Sequence, residues 1–408
     1  VSFRLIQRLI QPPSHSIGPR RSGLRVVNWA WLCVLAGLAL SVWGLQAIDI
    51  GERLTVTEGM GPIEKKQAVF LIVGLVAAAI VALPSYRYFA VLAWPAYLGA
   101  LGLLVFLLLP FVPESIVKAR NGARGWIDLG FLDLQPAELA KVAYALAVAS
   151  YLRSRRGTTR TFGGLIVPGV LTFIPIGLMI RQPDLGSASL FVPSLFAMLI
   201  IAGARLGHLF LIVALAAMAA PAVYPLLEPH QKQRIVGYVG QLRGDRSTAS
   251  DINFQAFTAQ ALVGSGGVFG QGDAKARALV HFNHLPERHN DMIYAVMVCR
   301  YGQRGGLLVL ALYGVWVVGA ALTAWASGDR FGRVLIAGLV AFVASQVFVN
   351  VGMNIGVLPI IGITLPFVSY GGSSLVTVWI MTGLVMNVGL HRTAGVRRRG
   401  SGYPEDNE

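Results

Sequence analysis

Apolar runs of roughly 20 residues recur from one end of this chain to the other, and each is long enough to carry a helix across about 30 Å of hydrocarbon. A single such run is compatible with a buried core helix. Repetition along 408 residues is not, because only 13% of them are charged against roughly a quarter in an average soluble domain. Too little polar surface remains to cover a water-soluble globule. The expected fold class is therefore all-α, a polytopic integral membrane protein with about ten transmembrane helices.

Hydropathy places the spans at 28–48, 67–83, 88–109, 136–152, 162–180, 184–202, 206–227, 291–325, 334–359 and 370–390. The stretch 291–325 is too long for one straight crossing and contains Arg300, Gly302, Arg304, Gly305 and Gly306, so a helix that is bent, tilted or partly outside the bilayer is expected there. Arginines cluster in the N-terminal tail, around Arg153–Arg160, at Arg330 and Arg333, and at Arg392–Arg399. With an even span count these all fall on one side, which the positive-inside rule makes cytoplasmic. Loops 49–66, 110–135 and 228–290 then face outward, the last being a large extracytoplasmic loop between helices 7 and 8. The domain reading is a cytoplasmic tail, 1–27, a membrane domain, 28–391, and a basic then acidic cytoplasmic tail, 392–408. In the first tail, Leu5, Ile6, Leu9 and Ile10 lie opposite Arg4 and Arg8, the pattern of a surface helix on membrane lipids.

The net charge of +15 would suggest nucleic acid in a soluble protein. Here the basic residues sit between apolar runs, where anionic headgroups account for them, and no nucleic-acid partner is expected. Cys33 and Cys299 lie in apolar stretches with no His or Cys at ligand spacing, so neither a disulfide framework nor a metal site is indicated.

Chemistry is concentrated in a few polar segments. Arg124 and Trp126 lie just outside the third span, and Glu138 and Lys141 open the fourth on one helix face, either as a helix-holding ion pair or as groups facing a polar cavity. Arg181-Gln182-Pro183-Asp184-Leu185-Gly186 is either a broken helix lining a cavity or a tight polar turn. In the long loop, 253–262 reads as a short helix with Phe254, Phe257, Ala261 and Leu262 on one face, followed by the glycine cluster 264–272, which reads as sharp turns or as close backbone approach to a ligand. Glu287, Arg288, His289 and Asp291 converge at the loop's end. A carboxylate desolvated there serves as a base towards a hydroxyl, while the plainer reading makes Asn290 or Asp291 a helix cap. Finally, Ser369, Tyr370, Gly371, Gly372, Ser373 and Ser374 precede the last span, where a broken or re-entrant segment is expected.

Taken together, Ala123-Arg124-Gly125-Trp126-Ile127, Gln135-Pro136-Ala137-Glu138-Leu139-Ala140-Lys141, Gln182-Pro183-Asp184-Leu185-Gly186, Leu285-Pro286-Glu287-Arg288-His289-Asn290-Asp291 and Pro366-Phe367-Val368-Ser369-Tyr370-Gly371-Gly372-Ser373-Ser374 resemble the SEDS family of RodA, FtsW and SpoVE. The resemblance implies a peptidoglycan glycosyltransferase polymerising lipid II, the undecaprenyl-linked disaccharide peptide, at the outer face of the bacterial cytoplasmic membrane. It also implies a class B penicillin-binding transpeptidase as partner. By similarity Asp291 is the general base, Arg124 and Trp126 belong to the second outer loop, and Glu138, Lys141 and Asp184 face a central cavity. An anionic leaving group calls for cations such as Arg124, Arg181, Arg288 or Lys141, or for a divalent cation held through the substrate pyrophosphate. Two other readings stay open at this stage, a lipid-linked-sugar transporter and a non-catalytic scaffold of a wall-synthesis complex. The chain departs from the family after Asp291, where Cys299-Arg300-Tyr301-Gly302 replaces a Glu-Glu-Leu-Gly-like segment and reverses local charge.

Overall fold

A computed structural model of the chain describes residues 26–55, 59–113, 116–120, 123–128, 130, 133–155, 157–223, 232, 236–240 and 253–391. The expected N-terminal surface helix, the C-terminal tail and much of loop 228–290 lie outside the described residues.

The principal helices are α1 (Ala30–Glu52), α2 (Pro62–Ala82), α3 (Tyr86–Leu108), α4 (Pro136–Ser154), α5 (Ile166–Arg181), the short α6 (Leu185–Ser189), α7 (Phe191–Ile201) and α8 (Leu206–Val223). They continue with α9 (Phe254–Gly266), α10 (Asp273–Phe282), α11 (Ile293–Ala326), α12 (Arg330–Asn354) and α13 (Gly372–Leu390). Every span expected from hydropathy is helical over most of its length. Among the described residues seven helices are long and apolar enough to cross a membrane, and Leu185–Ile201 and Leu206–Leu215 are shorter apolar helices. Helix α4 is less apolar because it carries Glu138, Lys141 and Arg153.

Helix α13 packs on α2, α11 on α1, α3 on α4, and α12 on α7. With lipid outside and side chains inside, polar groups within the bundle must find partners there. Pro175 in α5 has no N–H to give to the carbonyl of Leu171, and the Tyr97 hydroxyl of α3 donates to that oxygen at 2.6 Å. Glu52 at the end of α1 accepts the N–H groups of Ile63 and Glu64 at 3.0 and 3.1 Å, so it caps α2 and joins the ends of the two helices.

Helix α11 is broken at Gly302, whose φ of 72° lies in the left-handed region. The break frees backbone groups, and the glycine cluster of the long loop satisfies them. Gln303 N–H donates to Gly267 O at 2.8 Å, Arg304 N–H to Val268 O at 3.3 Å, and Gln271 N–H to Cys299 O at 2.9 Å. A Cβ at position 302 would sit 2.3 Å from Val268 O, so only glycine fits. The expected bend is thus present, and the glycine cluster lays its backbone against this helix rather than against a ligand.

Two features differ from the sequence expectation. The segment after α3 forms a small antiparallel sheet, β1 (Val117–Arg120), β2 (Ala123–Asp128) and β3 (Asp133–Leu134), in the order β1-β2-β3. Val117 and Ile127 bury one side of it against Leu107 and Val112. Helix α9 forms as expected but buries Ala256, Thr258, Ala259 and Leu262, leaving Ala261 exposed and Phe254 and Phe257 at the rim. Its close approach to α11 requires small residues, as a Cβ on Gly266 would lie 2.2 Å from Val298 O.

Candidate active site

The segment between α10 and α11 is short and irregular, and three neighbours hold it. From α12, the buried Asn350 and Asn354 each donate through Nδ2 to the carbonyl of Asp291, at 2.8 and 2.9 Å. Asn350 Nδ2 also donates to Ile363 O at 2.7 Å, and Asn354 Oδ1 accepts the Ala295 N–H at 3.1 Å. The two amides therefore fasten the start of α11 and the strand-like stretch before α13 to one helix.

The stretch before α13 supplies the second hold. Residues 359–371 are non-helical and, Gly362 apart, buried or half-buried, the arrangement in which irregular backbone is tolerated inside a membrane protein. Ser369 Oγ donates to Asn290 O at 2.6 Å and accepts the Leu365 N–H at 2.7 Å. The Tyr370 N–H donates to His289 O at 2.8 Å, and the two rings meet edge to face at 5.8 Å. Gln67 of α2 completes the clasp by donating to Ser369 O at 2.9 Å and accepting the Gly371 N–H at 3.1 Å. Gly372 begins α13.

The third hold lies within the segment. Asn290 Nδ2 donates to Glu287 Oε2 at 2.6 Å, and the N–H groups of Asn290 and Met292 donate to Glu287 O at 3.0 and 3.1 Å. The helix-cap reading of Asn290 and Asp291 does not apply, since the residue capping α11 is Met292, without a side-chain bond. Asp291 instead keeps its carboxylate free of protein donors among the described residues, with Oδ2 facing Gly362. Burial pushes the Asp291 carboxyl up to about 7, and the nearby Glu287 charge adds to the rise. Burial also lowers the His289 imidazole below its usual range, which keeps the ring neutral near pH 7. A half-desolvated carboxylate that titrates near neutrality, with its backbone fixed, is equipped to take a proton from a hydroxyl.

The other sequence candidates are placed as follows. Glu138 and Lys141 pair at 2.7 Å, and both are buried in α4. Ser373 ties that helix to α13, donating to Asp133 O at 2.6 Å and accepting the Gln135 N–H at 3.0 Å. Asp184 accepts the Ser187 N–H at 2.9 Å and caps α6, the chain turning at 182–184 between α5 and α6. Gly186 just beyond it faces Ile361 and Ile363, which flank Gly362, and this brings the Asp184 turn to the stretch that also borders Asp291. Arg181 is exposed at the end of α5. Trp126 is half-buried in β2, opposite Lys118, while Arg124 belongs to β2 by its backbone and its side chain lies outside the described residues. No group of three His, Cys, Asp or Glu residues able to hold a metal occurs among the described residues.

The model of the cell cycle protein family of FtsW, RodA and SpoVE matches residues 28–394. The chain belongs to this family. It is 31% identical to stage V sporulation protein E of Bacillus subtilis, over 79% of this chain and 86% of that protein. A probable peptidoglycan glycosyltransferase FtsW of Nitrosococcus halophilus is 34% identical, over 82% and 84% of the two chains. The peptidoglycan glycosyltransferase MrdB of Escherichia coli K12 is 31% identical, over 88% and 92%. Among solved structures, RodA of Thermus thermophilus superposes with a TM-score of 0.64 at 28% identity, covering 89% of this chain and 97% of that one. A structure described as structural coordination of polymerization and crosslinking by a peptidoglycan synthase complex superposes with a TM-score of 0.73 at 30% identity, covering 88% and 97%. This FtsW/RodA/SpoVE member is accordingly a multi-pass membrane protein.

Sequence reasoning passed over the residues that hold the site of this family member, namely Asn350, Asn354 and Gln67. A signal was present. Asn350 and Asn354 lie four apart on one face of an otherwise apolar helix, where an amide is retained only if it finds a partner.

Proposed function

We propose that Asp291 is the general base of this chain's glycosyl transfer, carried out on lipid II at the outer face of the cytoplasmic membrane. The enzyme class follows from the family, whose members similar to this chain along most of its length are named peptidoglycan glycosyltransferases. The observation that carries the residue assignment is Asp291 itself, its carboxylate without a hydrogen-bond donor among the described residues and raised to about 7, its backbone fixed through the carbonyl by Asn350 and Asn354.

In this reading the acceptor sugar's 4-hydroxyl gives its proton to Asp291 as its oxygen attacks the donor's anomeric carbon. The bond from that carbon to the pyrophosphate oxygen breaks, and undecaprenyl pyrophosphate leaves with the electron pair. Asp291 then releases the proton to solvent, which its near-neutral pKa permits at either stage. Neutral His289 is held beside Asp291 in the same segment, and Arg288 lies against Gly51. A divalent cation in this site would draw its ligands chiefly from the substrate's pyrophosphate, since no group of three His, Cys, Asp or Glu residues able to hold one occurs among the described residues.

The outward orientation of this loop rests on the arginine distribution, and a class B penicillin-binding transpeptidase is the partner we infer from the resemblance to a peptidoglycan synthase complex. The transporter reading drew on Glu138, Lys141 and Asp184, but the first two neutralise each other and the third caps a helix. The test is polymerisation of purified lipid II by the purified chain, alone and with its transpeptidase. Glycan strands are expected, and translocation of lipid II across liposomes without strands would overturn the proposal.

A further inference from the structure

The departure at Arg300 has a structural counterpart. The first segment of α11, from Ile293 to Cys299, is almost wholly buried and runs from just after Asp291 towards the break at Gly302. Counted on to Tyr301, just before the break, the helix has nine residues and is a rigid rod about 13 Å long, so a shift at one end is carried to the other. One end is fixed by Asn350 and Asn354. At the other end the Arg300 guanidinium pairs with Asp273 at 2.6 Å.

That pair is the first link of a longer chain. Asp273 also accepts from Arg277 Nε at 3.0 Å, and Arg277 donates to the carbonyls of Asp49 and Arg53 at 3.0 and 2.9 Å and pairs with the Asp49 carboxylate. Asp49 pairs with Arg53, which reaches Glu64 at 3.6 Å. Six charges therefore alternate in sign from Arg300 to Glu64 around a cavity of about 350 Å³, linking α11 through α10 to the ends of α1 and α2. The Arg300 and Asp273 side chains are the most open of the six, at 24% and 31%, whereas Arg277 is 4% exposed. The outer link can be cut without leaving a fully buried charge behind.

We propose that Arg300 is a positioning residue for Asp291: its ion pair with Asp273 fixes the rod that carries the Asp291 loop relative to the ends of α1 and α2. The inference rests on the assignment of Asp291 as the base. A residue acting this way changes the placement of the base more than the binding of substrate, and small misplacements of a reacting group are costly in rate.

The experiment measures lipid II polymerisation by the detergent-purified full chain, per molecule in the monodisperse fraction, for Arg300→Gln, Arg300→Lys, Asp273→Asn, the Arg300→Gln/Asp273→Asn double variant and Asp291→Asn. Arg300→Gln and Asp273→Asn are each expected to lower kcat roughly ten-fold with KM within about two-fold. Arg300→Lys is expected to restore most of the loss, and the double variant to be no worse than either single change. Unchanged rates in Arg300→Gln, failure of Lys to rescue, or multiplied losses in the double variant would overturn the proposal. If Asp291→Asn is inactive while Arg300→Gln is wild-type, positioning alone fails; if Asp291→Asn is fully active, the base assignment fails and the positioning role falls with it.

Discussion

The side-chain amide of Asn354 bonds both ends of the turn into α11, donating to Asp291 O at 2.9 Å and accepting the Ala295 N–H at 3.1 Å. Neither bond touches the Asp291 carboxylate, so the residue is held by its backbone while its side chain stays available. Replacing Asn354 with Ala orphans a buried N–H and weakens the hold on a carbonyl, at a cost of about 1–3 kcal/mol. Thermal unfolding of the purified variant is expected to fall accordingly, and polymerisation to fall further than the folded fraction does.

The pH dependence follows from the sign of the Asp291 shift. As a base the residue must be ionised, so the rate is expected to rise with pH through about 7. Part of the shift comes from Glu287, and Glu287→Gln is expected to move this rising limb to lower pH. Stability runs the other way. Between the ordinary value of 3.8 and about 7 the folded chain holds a proton that the unfolded chain has released, so this group's contribution declines as pH rises through that window. Asp291→Asn is expected to remove that decline, as followed by thermal unfolding at pH 5 and pH 8.

Glu138 and Lys141 form the buried pair of α4, and removing one partner strands the other's charge. Glu138→Gln is expected to destabilise the protein by about 3–5 kcal/mol, whereas a Glu138→Gln/Lys141→Met double variant recovers most of that loss. A detergent-melt series on the three proteins checks the order.

Gly302→Ala would place a methyl group 2.3 Å from Val268 O at a position with φ of 72°. Loss of the turn that fills the break is expected, and hydrogen exchange at the amides of Gln303 and Arg304 should rise sharply relative to the unaltered chain.

The spans were legible because hydrophobic length is a property of sequence alone, and the bend in α11 because glycines and arginines interrupt an over-long run. The sheet was not, because its strands are four, six and two residues long and carry Lys118, Arg120, Arg124 and Asp128, too short and polar for a period-two signal. The buried face of α9 was misread for a different reason. Phe254 and Phe257 dominate any periodicity count, yet close contact with α11 selects Ala256, Ala259 and Gly266. Asp291, Glu287 and His289 were visible as a charged cluster and Ser369 as part of a polar motif, whereas the asparagines of α12 were hidden inside an apolar helix that reads as a plain span. Asp184 and Arg181 stood out as polar groups at a helix break, where the first caps α6 and the second is exposed at the end of α5.

The most direct test of Asp291 as base is the rate at which the Asp291→Asn chain polymerises lipid II, measured at pH 8 beside the unaltered chain with matched thermal stability. Removal of a general base is expected to lower kcat by about 10²–10⁴-fold while lipid II binding persists. Polymerisation at the unaltered rate would contradict the assignment.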